Sequence, residues 1–283
     1  MNVRIVTDST AHISPDLYQE LRITVVPFHV QIGDRTYLDG VNLDEKEFYS
    51  LVCQQGLEAR TQPPTVEEFY RVYQGLSQDS GQVISLHLSD VLSRTIDNAR
   101  QAAAMLLGRC RITVIDSQSI SLGLGILVEA AARAAAEGRS LDNIVRLVRK
   151  LIHEIYILFF SENLDYLERS GRIGRAHALL GGMLGIKPFL ILEEGEILPL
   201  EKVRTRDEAI AKLIEFISEF DTIRRMAIVR GPYSRAEEIQ TLVERVQVIF
   251  PGLQAPVIGY GPVLTAHIGL DTLGVVVHEQ TQF

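Results

Sequence analysis

Residues 155–188 read IYILFFSENLDYLERSGRIGRAHALLGGMLGIKP. The run Ile155 to Phe160 is continuously apolar, the pattern of a buried strand. A short helix-like turn from Leu164 to Arg169 follows. Ser170-Gly171-Arg172-Ile173-Gly174 then breaks it, and its two glycines permit a tight backbone path. A segment of small apolar residues leads on to Lys187-Pro188. One glycine-bracketed loop in mid-chain therefore carries Arg169, Arg172 and Arg175, a cation cluster able to meet an anionic group. The bland alternative is a domain junction whose arginines are solvated.

Upstream of this stretch, strands and helices alternate. Val3 to Val6 is a short apolar run opening into Thr7-Asp8-Ser9-Thr10, the form of a buried parallel strand with a polar loop at its end. Ser14-Pro15 predicts a helix to about Arg22, with Ser14 as N-cap and Pro15 at the first helical position. Ile23 to Ile32 reads as one strand, and Asp44 to Gln54 as an amphipathic helix. Pro63 and Pro64 force an extended backbone ahead of Thr65. Thr65 caps the next helix, with Glu67 and Glu68 at its positive end. The strand Gln82 to Leu88 leads to Ser93, placed to cap a helix from Arg94 to Leu107. Arg111 to Ile115 is a strand ending in Asp116-Ser117. Two helices follow, about Leu124 to Glu137 and Ser140 to His153. This alternation implies a mostly parallel sheet with helices on both faces.

Downstream the pattern changes. Phe189 to Leu192 and Ile197 to Val203 flank Glu193-Glu194-Gly195-Glu196, a hairpin signal. Helices are expected over Asp207 to Glu219 and from Ser234, as N-cap, to about Val248. Strands are expected at Met226 to Val229, Val257-Ile258 and Leu273 to Val277. The fold class is α/β with two domains. Residues 1–160 form the parallel one. Residues 161–283 form an α/β domain with a mixed or antiparallel sheet.

With 283 residues, 46% of them hydrophobic and 23% charged, the chain can build a real core and is not expected to be disordered. Its net charge of −8 opposes non-specific binding to nucleic acid, which needs a basic face. Cys53 and Cys110 lie far apart without metal spacing, so free thiols in a reducing cytoplasm are expected. The N-terminus shows no charged lead before a long apolar core, so no signal peptide is expected. No window approaches the roughly 18 apolar residues of a transmembrane segment.

The signatures of several enzyme classes are absent. There is no phosphate-binding G-x-x-x-x-G-K-[ST], and Gly123-Leu124-Gly125 lacks the third glycine of a dinucleotide loop. No serine sits in G-x-S-x-G, and His153-Glu154 has no second histidine one turn on. His12, His29, His87, His153, His177 and His278 have no carboxylate or cysteine cluster near them in sequence and read as ordinary surface or core residues. Hydroxyls gather instead at the carboxyl ends of the first domain's strands: Thr7, Ser9 and Thr10, then Ser89 and Ser93, then Ser117 and Ser119. Ligands of open parallel sheets bind outside those ends. Ser93 at a helix N-terminus could favour an anion, or simply cap the helix. His267 lies in a glycine-flanked loop, an odd place for a core histidine.

Taken together, several motifs resemble the DegV family, in order and over essentially the whole chain. These are Thr7-Asp8-Ser9, Thr61-Gln62-Pro63, Ser93-x-Thr95, Val114-Ile115-Asp116-Ser117, Tyr166-Leu167-x-x-x-Gly171-Arg172-Ile173-Gly174, Leu184-Gly185-Ile186-Lys187-Pro188, Val203-Arg204-Thr205 and Gly261-Pro262-x-x-x-Ala266-His267-x-Gly269. The Gly-Arg-Ile-Gly and Gly-Ile-Lys-Pro blocks are the most specific. The resemblance implies a cytoplasmic, two-domain bacterial protein that holds one long-chain fatty acid. The carboxylate would lie at the domain interface and the acyl chain would be buried. Some members present this ligand to a separate fatty-acid kinase, which makes an acyl phosphate. Carried over by position, Thr61, Ser93 and His267 hold the carboxylate, and Arg172 serves the kinase or the phosphate. No metal and no other cofactor is implied, and the chain itself would not be an enzyme.

The chain departs from the family pattern at each binding motif. Arg60-Thr61-Gln62-Pro63 stands where the family has Thr-Ser-Gln-Pro, Arg94 replaces a glycine, and Leu270-Asp271 replaces Pro-Gly. Arg60 either pairs with the carboxylate or faces water. Two other classes stand beside the carrier: a serine hydrolase or acyltransferase using Ser93 with His267, and a small-molecule sensor without an enzyme partner.

Overall fold

The computed structural model describes residues 3–162, 165–172 and 187–280. The chain forms two compact units, Met1–His153 and Glu154–Phe283.

In the first unit, β1 (Arg4–Asp8) leads through α1 (Pro15–Glu20) to β2 (Thr24–Val26). Next come β3 (His29–Ile32), β4 (Arg35–Leu38), α2 (Glu45–Tyr49) with a π-helical turn over Ser50–Gln54, and β5 (Ala59–Gln62). Then follow α3 (Val66–Asp79), β6 (Gln82–His87), α4 (Thr95–Ala104), β7 (Arg111–Asp116), α5 (Ser121–Ala136) and α6 (Leu141–Ile152). Strands β2, β1, β6 and β7 lie in that order and pair in parallel. Val6 and Val83 pack with Phe69 and Tyr73 of α3 and with Ala99 and Ala102 of α4. Helices α5 and α6 contact β1 and β6, so helices cover both faces, as the alternation implied.

Ile23 to Ile32 is not one strand. Pro27 has no N–H for a ladder and divides it. The first part joins the parallel sheet, and the second founds a separate antiparallel sheet in the order β4-β3-β5. The Ser9 hydroxyl accepts the Phe28 amide (3.1 Å) at that division.

Some caps are as expected. Thr65 and Glu68 form a full capping box, and the Ser140 hydroxyl accepts the Asn143 amide. Others are not. Ser14 makes no capping bond at α1. The N-cap residue of α4 is Arg94, and no side chain caps that end.

The second unit begins with β8 (Ile155–Phe160) and α7 (Asp165–Arg169). It continues through β9 (Lys187–Glu193), β10 (Glu196–Val203), α8 (Arg206–Ser218), β11 (Ile223–Arg230) and α9 (Ala236–Ile249). It ends with β12 (Val257–Gly259), α10 (Pro262–Ile268) and β13 (Leu273–Glu279). The sheet is mixed, in the order β10-β9-β8-β13-β11-β12. The expected hairpin is β9–β10, and its turn places Glu194 (φ 49°) and Gly195 (φ 81°) in the left-handed region. The sequence reading placed Ile155–Phe160 ahead of the boundary. The strand belongs instead with the second unit, because its partners are β13 and β9. Its side chains Leu158 and Phe160 join Phe189, Leu213, Met226, Ile228 and Val275 in one apolar cluster.

Cys53 and Cys110 are both free. Among the described residues no helix is long and apolar enough to cross a membrane.

Candidate functional site

The hydroxyl-bearing strand ends of the first unit do gather polar groups. Thr7, Thr10, Ser89, Ser93, Ser117 and Ser119 are all buried there. Most are used locally. The Ser117 hydroxyl donates to the Ser119 carbonyl and accepts the Ser119 amide, both at 3.1 Å. The Ser89 hydroxyl accepts the Val91 amide at 3.2 Å. Ser93 does not cap α4. It sits one residue before the cap, and its Oγ lies 2.9 Å from Oγ1 of the fully buried Thr95. Arg94, between them, is exposed.

Beneath these loops lies a wholly buried chain of side chains. The Tyr73 hydroxyl donates to Ser85 Oγ at 2.7 Å. Ser85 Oγ lies 2.6 Å from His87 Nε2, and His87 Nδ1 lies 3.0 Å from Asp8 Oδ2. Asp8 Oδ2 also accepts the Leu88 amide (3.1 Å), while Oδ1 accepts the Thr10 amide (3.0 Å) and hydroxyl (2.5 Å). Burial pushes the Tyr73 hydroxyl far above its usual pKa, against the bond to Ser85. His87 looks like an ordinary histidine in sequence because its carboxylate is 79 residues away. His29 looks the same in sequence, yet its Nε2 meets both oxygens of Glu68 at 2.9 and 3.0 Å.

Thr61 stands on β5, half-buried, opposite Val30. The segment after it is fixed from two sides. The Asn98 side chain of α4 donates to the Pro64 carbonyl at 2.8 Å, and Glu68 closes the capping box on Thr65. Arg60 is exposed on the same strand. At the ends of β6 and β7, Asp116 Oδ1 accepts the amides of Gln118 (2.9 Å) and Asp90 (3.3 Å). Burial, with the Asp90 carboxyl adding to it against those amide bonds, pushes Asp116 up to about 6.

In the second unit His267 is not in a loop. It lies in the last turn of α10, whose end is closely held. The Ile268 carbonyl accepts the hydroxyls of Thr272 (2.6 Å) and Ser161 (3.4 Å). The Tyr260 hydroxyl donates to the Gly269 carbonyl (2.7 Å), and the Tyr233 amide donates to that of Leu270 (2.9 Å). Gly269 has φ 87°, and a Cβ there would stand 2.9 Å from the Tyr166 ring. That close approach lets α7 pack on α10. Burial, then the nearby Arg172 guanidinium, pushes His267 down to about 4. Arg172 is itself pushed below the usual arginine value by burial, and its side chain donates to the Ser170 carbonyl. The structure thus brings Arg172 and His267 into one electrostatic neighbourhood.

Next to them runs a charged network. Glu162 bridges Lys187 (2.5 Å) and Arg206 (2.6 Å), and Arg206 Nε pairs with Glu238 (2.6 Å). Asp271, one of the family departures, is raised by burial and by Glu162. Gly174, Arg175, His177 and the Gly185-Ile186 part of the Gly-Ile-Lys-Pro block lie outside the described residues. Among the described residues no group of three or more His, Cys, Asp or Glu is arranged to hold a metal ion.

Asp8 and His87 form a buried pair that the sequence does not announce. Asp8 belongs to the Thr-Asp-Ser motif, and no local signal ties it to His87.

Comparison with known proteins adds to this geometry. Residues 2–280 match the model of a family described as "Uncharacterised protein, DegV family". A DegV domain-containing protein of Streptomyces coelicolor is 36% identical over 98% of this chain and 98% of its own. The crystal structure of DegV, a fatty acid binding protein from Bacillus subtilis, superposes with a TM-score of 0.89 at 29% identity, covering 99% of this chain and 100% of that one. A DegV family protein from Thermus thermophilus, described for its fatty acid binding, gives a TM-score of 0.86 at 30% identity with the same coverage. Full-length agreement in sequence and in fold leads to one conclusion: the chain belongs to the DegV family.

Proposed function

We propose that this protein is a cytoplasmic carrier that binds one long-chain fatty acid and presents its carboxylate to a separate fatty-acid kinase. The observation that carries the reading is its full-length likeness to two fatty-acid-binding DegV proteins at about 30% identity. Thr61, Ser93 and His267 are the proposed carboxylate partners. A carboxylate taken out of water must be hydrogen-bonded. Two hydroxyls and an imidazole meet that need without a metal. An imidazole held down to about 4 is neutral at pH 7, so one ring nitrogen donates and the other accepts. The bound carboxylate would then raise it by charge attraction. An acyl chain of ~14 methylenes, at about 0.8 kcal/mol each, supplies roughly 11 kcal/mol before ordering costs. The binding energy comes from the tail, and the head group supplies orientation.

Arg172 is proposed as the residue that faces the kinase or the phosphate. Its partial burial beside His267 supports a role near the head group. No observation favours the hydrolase, since the Ser93 hydroxyl is engaged by Thr95.

Denaturing solvent extraction of the purified protein, with mass spectrometry of the extract, tests the reading. About one fatty acid per chain is expected. An empty extract, followed by no binding of added fatty acids, would overturn it. Turnover of an acyl ester that is lost in Ser93→Ala would put the hydrolase in its place. For Arg172→Ala, retained lipid with lost acyl-phosphate formation by the kinase is expected. Loss of the lipid itself would move Arg172 into the head-group site.

A further inference from the structure

We propose that Asp8 is a positioning residue for the Ser93 loop, acting as the terminus of a one-directional hydrogen-bond relay that runs Tyr73, Ser85, His87, Asp8. The proposal rests on the reading of Ser93 as a carboxylate partner.

The place of the relay in the sheet is the first argument. Asp8 ends β1 and His87 is the last residue of β6. These strands are neighbours, with β2 on the far side of β1 and β7 beyond β6. The strand order therefore reverses between β1 and β6, and open parallel sheets bind ligands outside the carboxyl ends at such a point. The relay lies directly under that point.

The direction of the relay follows from counting donors. Tyr73 gives its proton to Ser85. Ser85 has a single proton, and its other partner is His87 Nε2. Nε2 is therefore the acceptor, Nδ1 carries the ring proton, and Nδ1 donates to Asp8. All four groups on the Asp8 carboxylate are then donors: His87 Nδ1, the Leu88 amide, the Thr10 amide and the Thr10 hydroxyl. A carboxylate only accepts, so the fit is complete. Ser85 and His87 are fully buried, so this serine–histidine–aspartate series holds structure in place and attacks no substrate.

The loop hangs from this carboxylate. Leu88 is held by Asp8, the Ser89 amide by the Ser119 carbonyl (3.0 Å), and the Ser93 amide by the Ser89 carbonyl (3.2 Å). Asparagine cannot replace Asp8. Its amide nitrogen would face either Thr10 or the His87–Leu88 pair, and in both cases a backbone amide, which can only donate, would meet a donor. Facing His87, it would also move the ring proton to Nε2 and reverse the relay.

The test has two readouts that do not need lipid and one that does. Nitrogen-15 NMR of histidine-labelled protein should show neutral His87 protonated at Nδ1. Protonation at Nε2 would overturn the relay, whether or not any variant folds. In Asp8→Asn, amide exchange over Leu88–Ser93 should accelerate at least tenfold, while Arg71→Ala, which breaks an exposed ion pair with Glu67 outside the relay, should keep wild-type exchange there. Fatty-acid affinity, measured with oleate, should fall at least tenfold in Asp8→Asn and stay unchanged in Arg71→Ala. Wild-type exchange, or wild-type affinity, in a folded Asp8→Asn would overturn the positioning role. A wild-type protein that binds no fatty acid would instead remove the functional reading, and the tautomer and exchange data would still decide the relay.

Discussion

Gly269 lies so close to Tyr166 that a single added methyl would stand 2.9 Å from its ring carbon Cδ2. This contact seats α7, and with it Arg172, beside the helix that carries His267.

Gly269→Ala should therefore do two things. Its backbone, at φ 87° and ψ −171°, is in a region essentially reserved for glycine. The substitution should cost about 1–3 kcal/mol in urea unfolding, by strain alone. It should also weaken fatty-acid binding by displacing the His267 turn. Wild-type stability and affinity would show that α7 yields without consequence.

His267 sets a pH dependence. Its folded value, about 4, is below the unfolded value of 6.5. Between these the unfolded chain takes up a proton that the folded one refuses, so stability should fall as pH drops through that window. His267→Gln should flatten this slope in thermal melts between pH 6.5 and 4. In NMR titrations of the unliganded protein the His267 midpoint should lie near 4 and rise when Arg172 is changed to alanine.

Glu68 gives the same sign in a lower pH window. Burial raises its carboxyl, but the Thr65 amide, His29 and the Thr65 hydroxyl outweigh this and hold it below its ordinary value of 4.5. Its contribution is therefore complete above 4.5 and is lost as the pH falls through the lower folded value. Glu68→Gln should cost on the order of 1 kcal/mol at pH 7, the size of a capping contribution. The difference from wild type should shrink in unfolding curves taken below pH 4.5.

Asp116 gives the opposite sign to both. Its carboxyl is raised from 3.8 to about 6, so the folded state holds a proton that the unfolded state releases. Stability should fall as pH rises across that interval. Asp116→Asn, which keeps an acceptor for the Gln118 and Asp90 amides, should melt higher than wild type at pH 7. The two proteins should melt together below pH 3.8.

Much of the fold was legible wherever the signal was local. Val3–Val6 and Gln82–Leu88 declare parallel strands by apolar runs that end in hydroxyls. Thr65 with Glu68 declares a helix start, and Glu194-Gly195 a hairpin. What escaped depended on distant partners. The second half of Ile23–Ile32 has ordinary strand residues, and only Pro27 hinted that it changes sheets. Ile155–Phe160 looks the same whichever unit it joins, because an apolar strand carries no address. Among the candidate site residues, Thr61, Ser93, His267 and Arg172 are proposals that rest on motifs. Asp8 and His87 could not be paired by any spacing rule, since only the parallel alignment of β1 with β6 brings them together.

The strand order of the second unit has a consequence for its synthesis. Its central strand, β13, is the last of its strands in chain order, flanked by β8 and β11. While the ribosome is still short of Leu273, β8 and β11 have each lost a neighbour, and both present open, apolar edges. The first unit has all of its strands by Asp116 and can fold early. A nascent chain halted ahead of Leu273 should therefore pair one completed unit with an adhesive half-sheet. Sedimentation of such stalled chains should show self-association that disappears once β13 has emerged.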